Sequence, residues 1–156
     1  MKKLISHRGN INGPIPHNEN HPEYIDEAIH AGFDVEVDMW WEDGKVFLGH
    51  DKPQYEVTDK WLSDRIDKLW VHCKNIELLP WIQSTNLHYF WHENDKYTLT
   101  SKNILWVYPG QKLTANSICV MPEINNINKY ILSECLGVCS DHIITFYEKN
   151  NSSQSL

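Results

Sequence analysis

The stretch "DVEVDM", residues 34–39, constrains the fold more than any other part of this sequence. Asp34, Glu36 and Asp38 alternate with Val35, Val37 and Met39. Successive side chains of a strand point to opposite faces, so such a strand has one apolar face and one acidic face. The apolar face must be covered by another layer. The acidic face is either solvated or matched by positive charge, because a buried carboxylate costs several kcal/mol unless it is compensated.

The flanking sequence sets this strand in a β-α-β order. "KLISHRG" reads as a first strand, and "NGPIPHNEN" reads as a loop rich in Asn and Pro. "NHPEYIDEAIHAG" reads as a helix, with Asn20 as cap, Glu23 completing a capping box, and Gly32 as the stop. After the acidic strand, "EDGK" is a tight turn and "VFLGHD" a short returning strand. Further on, "LWVHCK", "LHYFWHEN", "ILWVYPG", "SICVMPEI" and "VCSDHIITF" read as strands. "NIELLPWIQST", shortened or kinked by Pro80, and "INKYILSECLG" read as helices. "DKYTLTSKN" and "QKLTANS" are too short and polar for full crossover helices, and "KNNSSQSL" reads as a disordered tail.

This order predicts an α/β fold with parallel strands and right-handed crossovers. One domain is expected over residues 1–149, followed by the tail 150–156. A closed barrel of eight β/α units typically needs ~250 residues. The 156 residues therefore predict a reduced (β/α) TIM-type barrel with several crossover helices shortened or missing. An open α/β sheet is the other fold this order allows, although no glycine-rich phosphate loop accompanies it.

In both architectures chemistry gathers at the carboxyl ends of the strands. Those ends carry His7-Arg8-Gly9, then Glu36 and Asp38, then Gly49-His50-Asp51, then His72 and Lys74. His92, Glu93, Glu123, Asp141 and His142 arrive there too. Glu36 and Asp38 are hard oxygen donors suited to Mg²⁺ or Ca²⁺. His7 and His50 suit a general acid and base near neutral pH. Arg8 and Lys74 suit an anion. Together these groups suit a phosphate ester. Asp34 lies toward the start of its strand and reads as structural. Cys73 alternates with His72 and Lys74, so it is expected to face the helices.

"SHRG", "NEN" with "EYIDEAIHAG", and "VEVDMWWEDGKVFLGHD", with a weaker "LWVHCKN", resemble the glycerophosphodiester phosphodiesterase family. That family shares its barrel with the phosphatidylinositol-specific phospholipases C. The match is dense over residues 4 to 51, about a third of the chain. The resemblance implies metal-dependent hydrolysis of a small phosphodiester. It implies His7 and His50 as the acid/base pair, Arg8 as a phosphate ligand, and Glu36 and Asp38 as metal ligands. Glu19 matches a carboxylate near the family's metal, and Lys74 matches a strand lysine. The family carries a glutamate as third ligand where this chain has His72, which brings Mn²⁺ or Zn²⁺ in beside Mg²⁺ and Ca²⁺. The segment between His50 and His72 is also shorter than the family's.

A net charge of −7 without a basic stripe argues against nucleic acid as partner. No apolar run approaches membrane-spanning length, and the start is no signal peptide, so a cytoplasmic location is expected. The four cysteines form no CxxC pair and read as buried free thiols. Two alternatives stand beside the hydrolase. One is a module that binds a phosphorylated ligand without turnover. The other is cleavage of a phospholipid headgroup, which the acidic charge disfavours. The sequence specifies neither the alcohols of the substrate nor the oligomeric state.

Overall fold

The computed structural model describes residues 2–125 and 131–152 of the chain. β1 (Lys3–His7) leads through α1 (Pro22–His30) to β2 (Asp34–Glu42), which runs parallel to β1 with His7 beside Glu36. β2 folds back through Asp43 (φ 50°) and Gly44 (φ 79°) into β3 (Lys45–Leu48). Two successive positive φ values make the two-residue hairpin turn that "DG" favours. β4 (Tyr55–Val57) adds to β3, and α2 (Asp59–Ser63) follows, capped by the Thr58 hydroxyl.

β5 (Leu69–Cys73) then returns to lie parallel on the other side of β2, with His72 beside Asp38. α3 (Leu78–Ile82) leads to β6 (His88–Phe90), parallel to β5. β7 (Tyr97–Leu99) and β8 (Leu105–Val107) form an antiparallel pair. β9 (Ser117–Val120), a 3-10 turn at Pro122–Asn125, α4 (Ile131–Glu134), β10 (Gly137–Ser140) and α5 (Ile143–Ser152) complete the described chain. β10 inserts between β9 and β1, parallel to both.

The parallel strands thus run β6-β5-β2-β1-β10-β9-β8, with β3 and β4 attached to the upper part of β2 and β7 on the far edge. The sheet curls into a half-barrel. Among the described residues no ladder joins β6 to β7 or β8, so it does not close. This corrects the expected reduced (β/α) TIM-type barrel. That fold needs a crossover helix between successive parallel strands. Here the antiparallel hairpins β2-β3-β4 and β7-β8 occupy those places, β8 reaches β9 with no helix, and α2, α3 and α4 are single turns.

Two layers of apolar side chains cover the sheet. Outside, Val35, Val37 and Met39 of β2 pack with Val71 and Cys73 of β5, Ile25 and Ala28 of α1, and Leu78 and Ile82 of α3. A neighbouring outer cluster sets Val138 and Cys119 against Ile143 and Phe146 of α5. Inside the curl, Ile5, Trp70, Phe90, Trp106, Ile118 and Cys139 form the floor. Cys73 faces the helices as its alternation predicts, and burial pushes its thiol up to about 12.

Two other readings change, and a third lies partly outside the described residues. Asn20 is not the helix cap: His21 takes that position and its ring accepts from the Glu23 N–H. Residues 143–146, read as the end of a strand, begin α5, which runs on into the segment read as a tail; residues 153–156 lie outside the described residues. The helix read over 127–137 is described only as α4, since residues 126–130 lie outside the described residues. No helix among the described residues is long and apolar enough to cross a membrane.

Candidate metal centre and active site

All three acids of β2 point into the curl and all are buried: Asp34 is 6% exposed, Glu36 3% and Asp38 0%. The acidic face is therefore not a solvated edge. Asp34, deep in the curl, lies 3.1 Å from Lys3 Nζ and 3.2 Å from Lys68 Nζ, and it accepts from the Trp70 indole at 3.2 Å. Its charge is matched by protein groups.

Asp38 lies two pleats higher. Asn20, itself buried and left-handed (φ 63°), donates from its amide to Asp38 Oδ2 and accepts the Asp38 backbone N–H, both at 2.9 Å. One Asn side chain thus fixes both the strand and its carboxylate. Arg8 Nε stands 2.9 Å from Asp38 Oδ2, and Lys74 Nζ 3.4 Å from Oδ1. His72 Nδ1 is 3.2 Å from Oδ1. Burial opposes the Asp38 charge, but His72, Arg8 and Lys74 outweigh it and hold this carboxyl well below the usual carboxylate range.

Glu36 is the opposite case. Burial first, then the charge of Asp38, pushes its carboxyl up. The nearest ring nitrogens stand off, His7 Nε2 at 3.8 Å and His72 Nδ1 at 4.0 Å. Both Glu36 Oε2 and Asp38 Oδ1 are buried with no hydrogen-bond partner. Buried polar atoms are nearly always hydrogen-bonded, so two carboxylate oxygens with ion-pair neighbours at 3.2 Å or more and no hydrogen bond need an account. One donor atom each from Glu36, Asp38 and His72 lie within 4.8 Å of one another, a spacing that suits a single cation.

Next to this group stands His7. Its Nδ1 donates to Asp141 Oδ1 at 2.7 Å, since a carboxylate can only accept, and this turns Nε2 toward Glu36. Burial disfavours imidazolium, but the Asp141 bond and the Glu36 charge prevail and raise the pKa of His7. Asp141 is held in turn by the Asn10 amide at 2.8 Å. Asn10 also donates to Glu19 Oε1 at 2.9 Å and accepts the Tyr24 hydroxyl at 3.2 Å. Glu19 Oε2 takes Arg8 at 3.1 Å. The turn that makes this possible follows β1: Arg8 (φ 55°) and Gly9 (φ 94°) are both left-handed, and a Cβ on Gly9 would come within 2.6 Å of the Tyr24 ring.

His50 reaches the same end of the sheet from the β3 loop. The Gly49 N–H donates to Asp38 O at 3.1 Å and the Trp40 indole donates to Gly49 O at 2.6 Å. A Cβ on Gly49 would lie 2.2 Å from Lys52 O, so only glycine fits. His50 Nδ1 pairs with Asp51 Oδ1 at 2.7 Å, and its side chain is 43% exposed. A cavity of about 400 Å³ is lined by His7, Arg8, Glu36, His50, His72 and Lys74 on one side, and by Trp106, Tyr108, Met121 and Ile124 on the other.

Of the residues singled out from the sequence, these six polar ones meet in the cavity wall, with Asp38 directly beneath. Glu19 sits behind Arg8, with both oxygens engaged by Arg8 and Asn10 and outside the three-donor group. His92 and Glu93 line the cavity too. Glu123 accepts from the Ser140 hydroxyl and the Asp141 N–H, both at 3.0 Å. Asn10, Asn20 and Tyr24 had no signal as site residues. Asp141 had one, its place at the end of a strand beside β1. Comparisons with family models, with curated proteins and with solved structures gave no match.

Proposed function

We propose that this chain is a metal-dependent phosphodiester hydrolase acting on a small, soluble substrate of the glycerophosphodiester type. The observation that carries the reading is one cavity wall holding His7, Arg8, Glu36, His50, His72 and Lys74 together. The motif resemblance to the glycerophosphodiester phosphodiesterases supports it independently of the fold.

The two carboxylate oxygens left without a hydrogen bond fit a divalent cation held by Glu36 and Asp38, of the Mg²⁺, Ca²⁺, Mn²⁺ or Zn²⁺ kind. Such a cation would neutralise charge that builds on the phosphoryl oxygens. Lys74 and Arg8 hold the phosphate on the same side by charge. His7 and His50 divide the proton work. Each carries a carboxylate on Nδ1, Asp141 and Asp51, which leaves Nε2 to exchange a proton with substrate. One Nε2 takes a proton from the attacking substrate hydroxyl and the other gives one to the leaving alkoxide; water then opens the resulting cyclic phosphate with the two roles reversed. The buried free thiols of Cys73, Cys119 and Cys139 support a reducing, cytoplasmic setting.

The test is a phosphorus NMR time course on glycerophosphocholine and related diesters with purified protein supplemented with Mg²⁺, Ca²⁺ or Mn²⁺. Product is expected with metal and not with EDTA, and His7→Ala and His50→Ala should each abolish it while remaining folded. Wild-type rates in both variants would sink the assignment. A second reading draws on the loose tether of His50, whose carboxylate partner among the described residues, Asp51, is 89% exposed. On that reading the site binds a phosphorylated ligand without turnover. Ligand-induced thermal stabilisation with no product would favour it.

A further inference from the structure

His72 supplies the one nitrogen donor of the Glu36, Asp38 and His72 group. His72 Nε2 lies 3.4 Å from the carbonyl oxygen of His92, and a carbonyl only accepts, so this nitrogen carries the proton. In the neutral ring Nδ1 is then a bare lone pair. It faces Asp38 Oδ1 at 3.2 Å and Glu36 Oε1 at 4.0 Å. Asp38 Oδ1 nevertheless has no hydrogen-bond partner, so the two atoms converge on a common point rather than bond to each other. In the neutral ring a lone pair and a carboxylate oxygen at that distance repel, which Lys74 Nζ, 3.4 Å from Oδ1, offsets from one side and a metal ion between them would remove.

The ring is also fixed in place. It stacks on Phe90 (centroids 5.1 Å apart, planes 11° apart) and on His92 (4.5 Å, 3°). An imidazole whose far nitrogen donates to a backbone carbonyl, with its plane set by packing, has the arrangement of a metal-bound histidine.

We infer that His72 Nδ1 completes the site with Glu36 and Asp38, and that the site selects a first-row transition ion such as Mn²⁺ or Zn²⁺ over Mg²⁺ and Ca²⁺. Mg²⁺ and Ca²⁺ prefer oxygen donors throughout, whereas one imidazole beside two carboxylates favours ions that accept nitrogen. The inference rests on the metal-dependent reading above and names its ion.

The experiment is pulsed EPR on the full chain loaded with Mn²⁺, together with calorimetric titrations of Mn²⁺, Mg²⁺ and Ca²⁺ into chelator-treated protein. A ¹⁴N coupling from directly bound nitrogen is expected in wild type. It should vanish in His72→Phe, which keeps the ring stacking, and persist in His92→Gln. Mn²⁺ should bind on the order of tenfold or more tighter than Mg²⁺ or Ca²⁺. His72→Glu, a second variant that restores an all-oxygen set, should largely erase that gap. Mn²⁺ bound with no nitrogen coupling in wild type, or equal affinity for Mn²⁺ and Mg²⁺, overturns this inference and leaves the hydrolase reading standing. Failure to bind any of the three ions overturns both.

Discussion

Asp34 and Glu36 sit two residues apart on the same face of β2, and both are buried. Asp34 has two lysines and an indole within 3.2 Å. Glu36 has one oxygen with no hydrogen-bond partner among the described residues, and its nearest ring nitrogens stand 3.8 and 4.0 Å away. The lower acid is neutralised by the protein. The upper one is buried in a place where the protein withholds the matching charge. Burying an unpaired carboxylate costs stability, and a site that tolerates this is one where an external ion completes the balance. The difference separates a carboxylate that holds the curl together from one that serves chemistry.

The sharpest way to break this contrast is by activity. His7→Ala, at the upper end, should lower phosphodiester turnover by roughly 10²–10⁴-fold. Asp34→Asn should stay within about threefold of wild type, since nothing in it touches the cavity. Equal losses from both would remove the distinction. Stability in EDTA sharpens it from the other side. Glu36→Gln deletes an unpaired buried charge and should raise metal-free stability in urea by about 1–3 kcal/mol, while abolishing the thermal shift on adding Mn²⁺.

Acid should act on the lower end. His88 is 5% exposed, bonds Thr100 Oγ1 at 2.7 Å and lies against Trp70 with its ring tilted 41°, and burial lowers its pKa from 6.5 to about 4. The unfolded chain therefore binds this proton first, and stability falls as pH drops from 6.5 toward 4. Wild type should lose about 2 kcal/mol more than His88→Gln between pH 7.5 and pH 5, read from paired urea titrations. The smallest effect belongs to the rim of the Asp34 cluster. Lys3 and Lys68 are nearly half exposed, so Lys3→Ala should cost under about 1 kcal/mol.

The sequence made β2 plain because period-two alternation over six residues has no helical reading. It also placed Cys73 by alternation and Asp34 by its position toward the start of the strand. β4 and β7, three residues each, are too short to show a period, and "DKYTLTSKN" passed for a connection. "IITF" looked like strand because Ile and Thr are β-branched, yet packing of Ile143 and Phe146 against Val138 and Phe33 makes it helix. The barrel expectation came from counting β/α units. It failed because nothing local says whether a short strand joins its neighbour parallel or antiparallel. Asn20 shows the limit most clearly. An Asn before a helix suggests a cap, but its left-handed backbone turns it inward onto Asp38, a partner 18 residues away.

The bond between His7 and Asp141 gives the molecule a built-in reporter. Its proton lies between Nδ1 and a carboxylate oxygen 2.7 Å apart, and the histidine side chain is only 15% exposed. A proton so placed exchanges slowly with solvent and resonates far downfield of the amide envelope, clear of every other signal. The corresponding proton of His50, on an exposed pair, exchanges fast. One-dimensional NMR at a series of pH values then follows the ionisation of one member of the pair alone, with no substrate and no metal present.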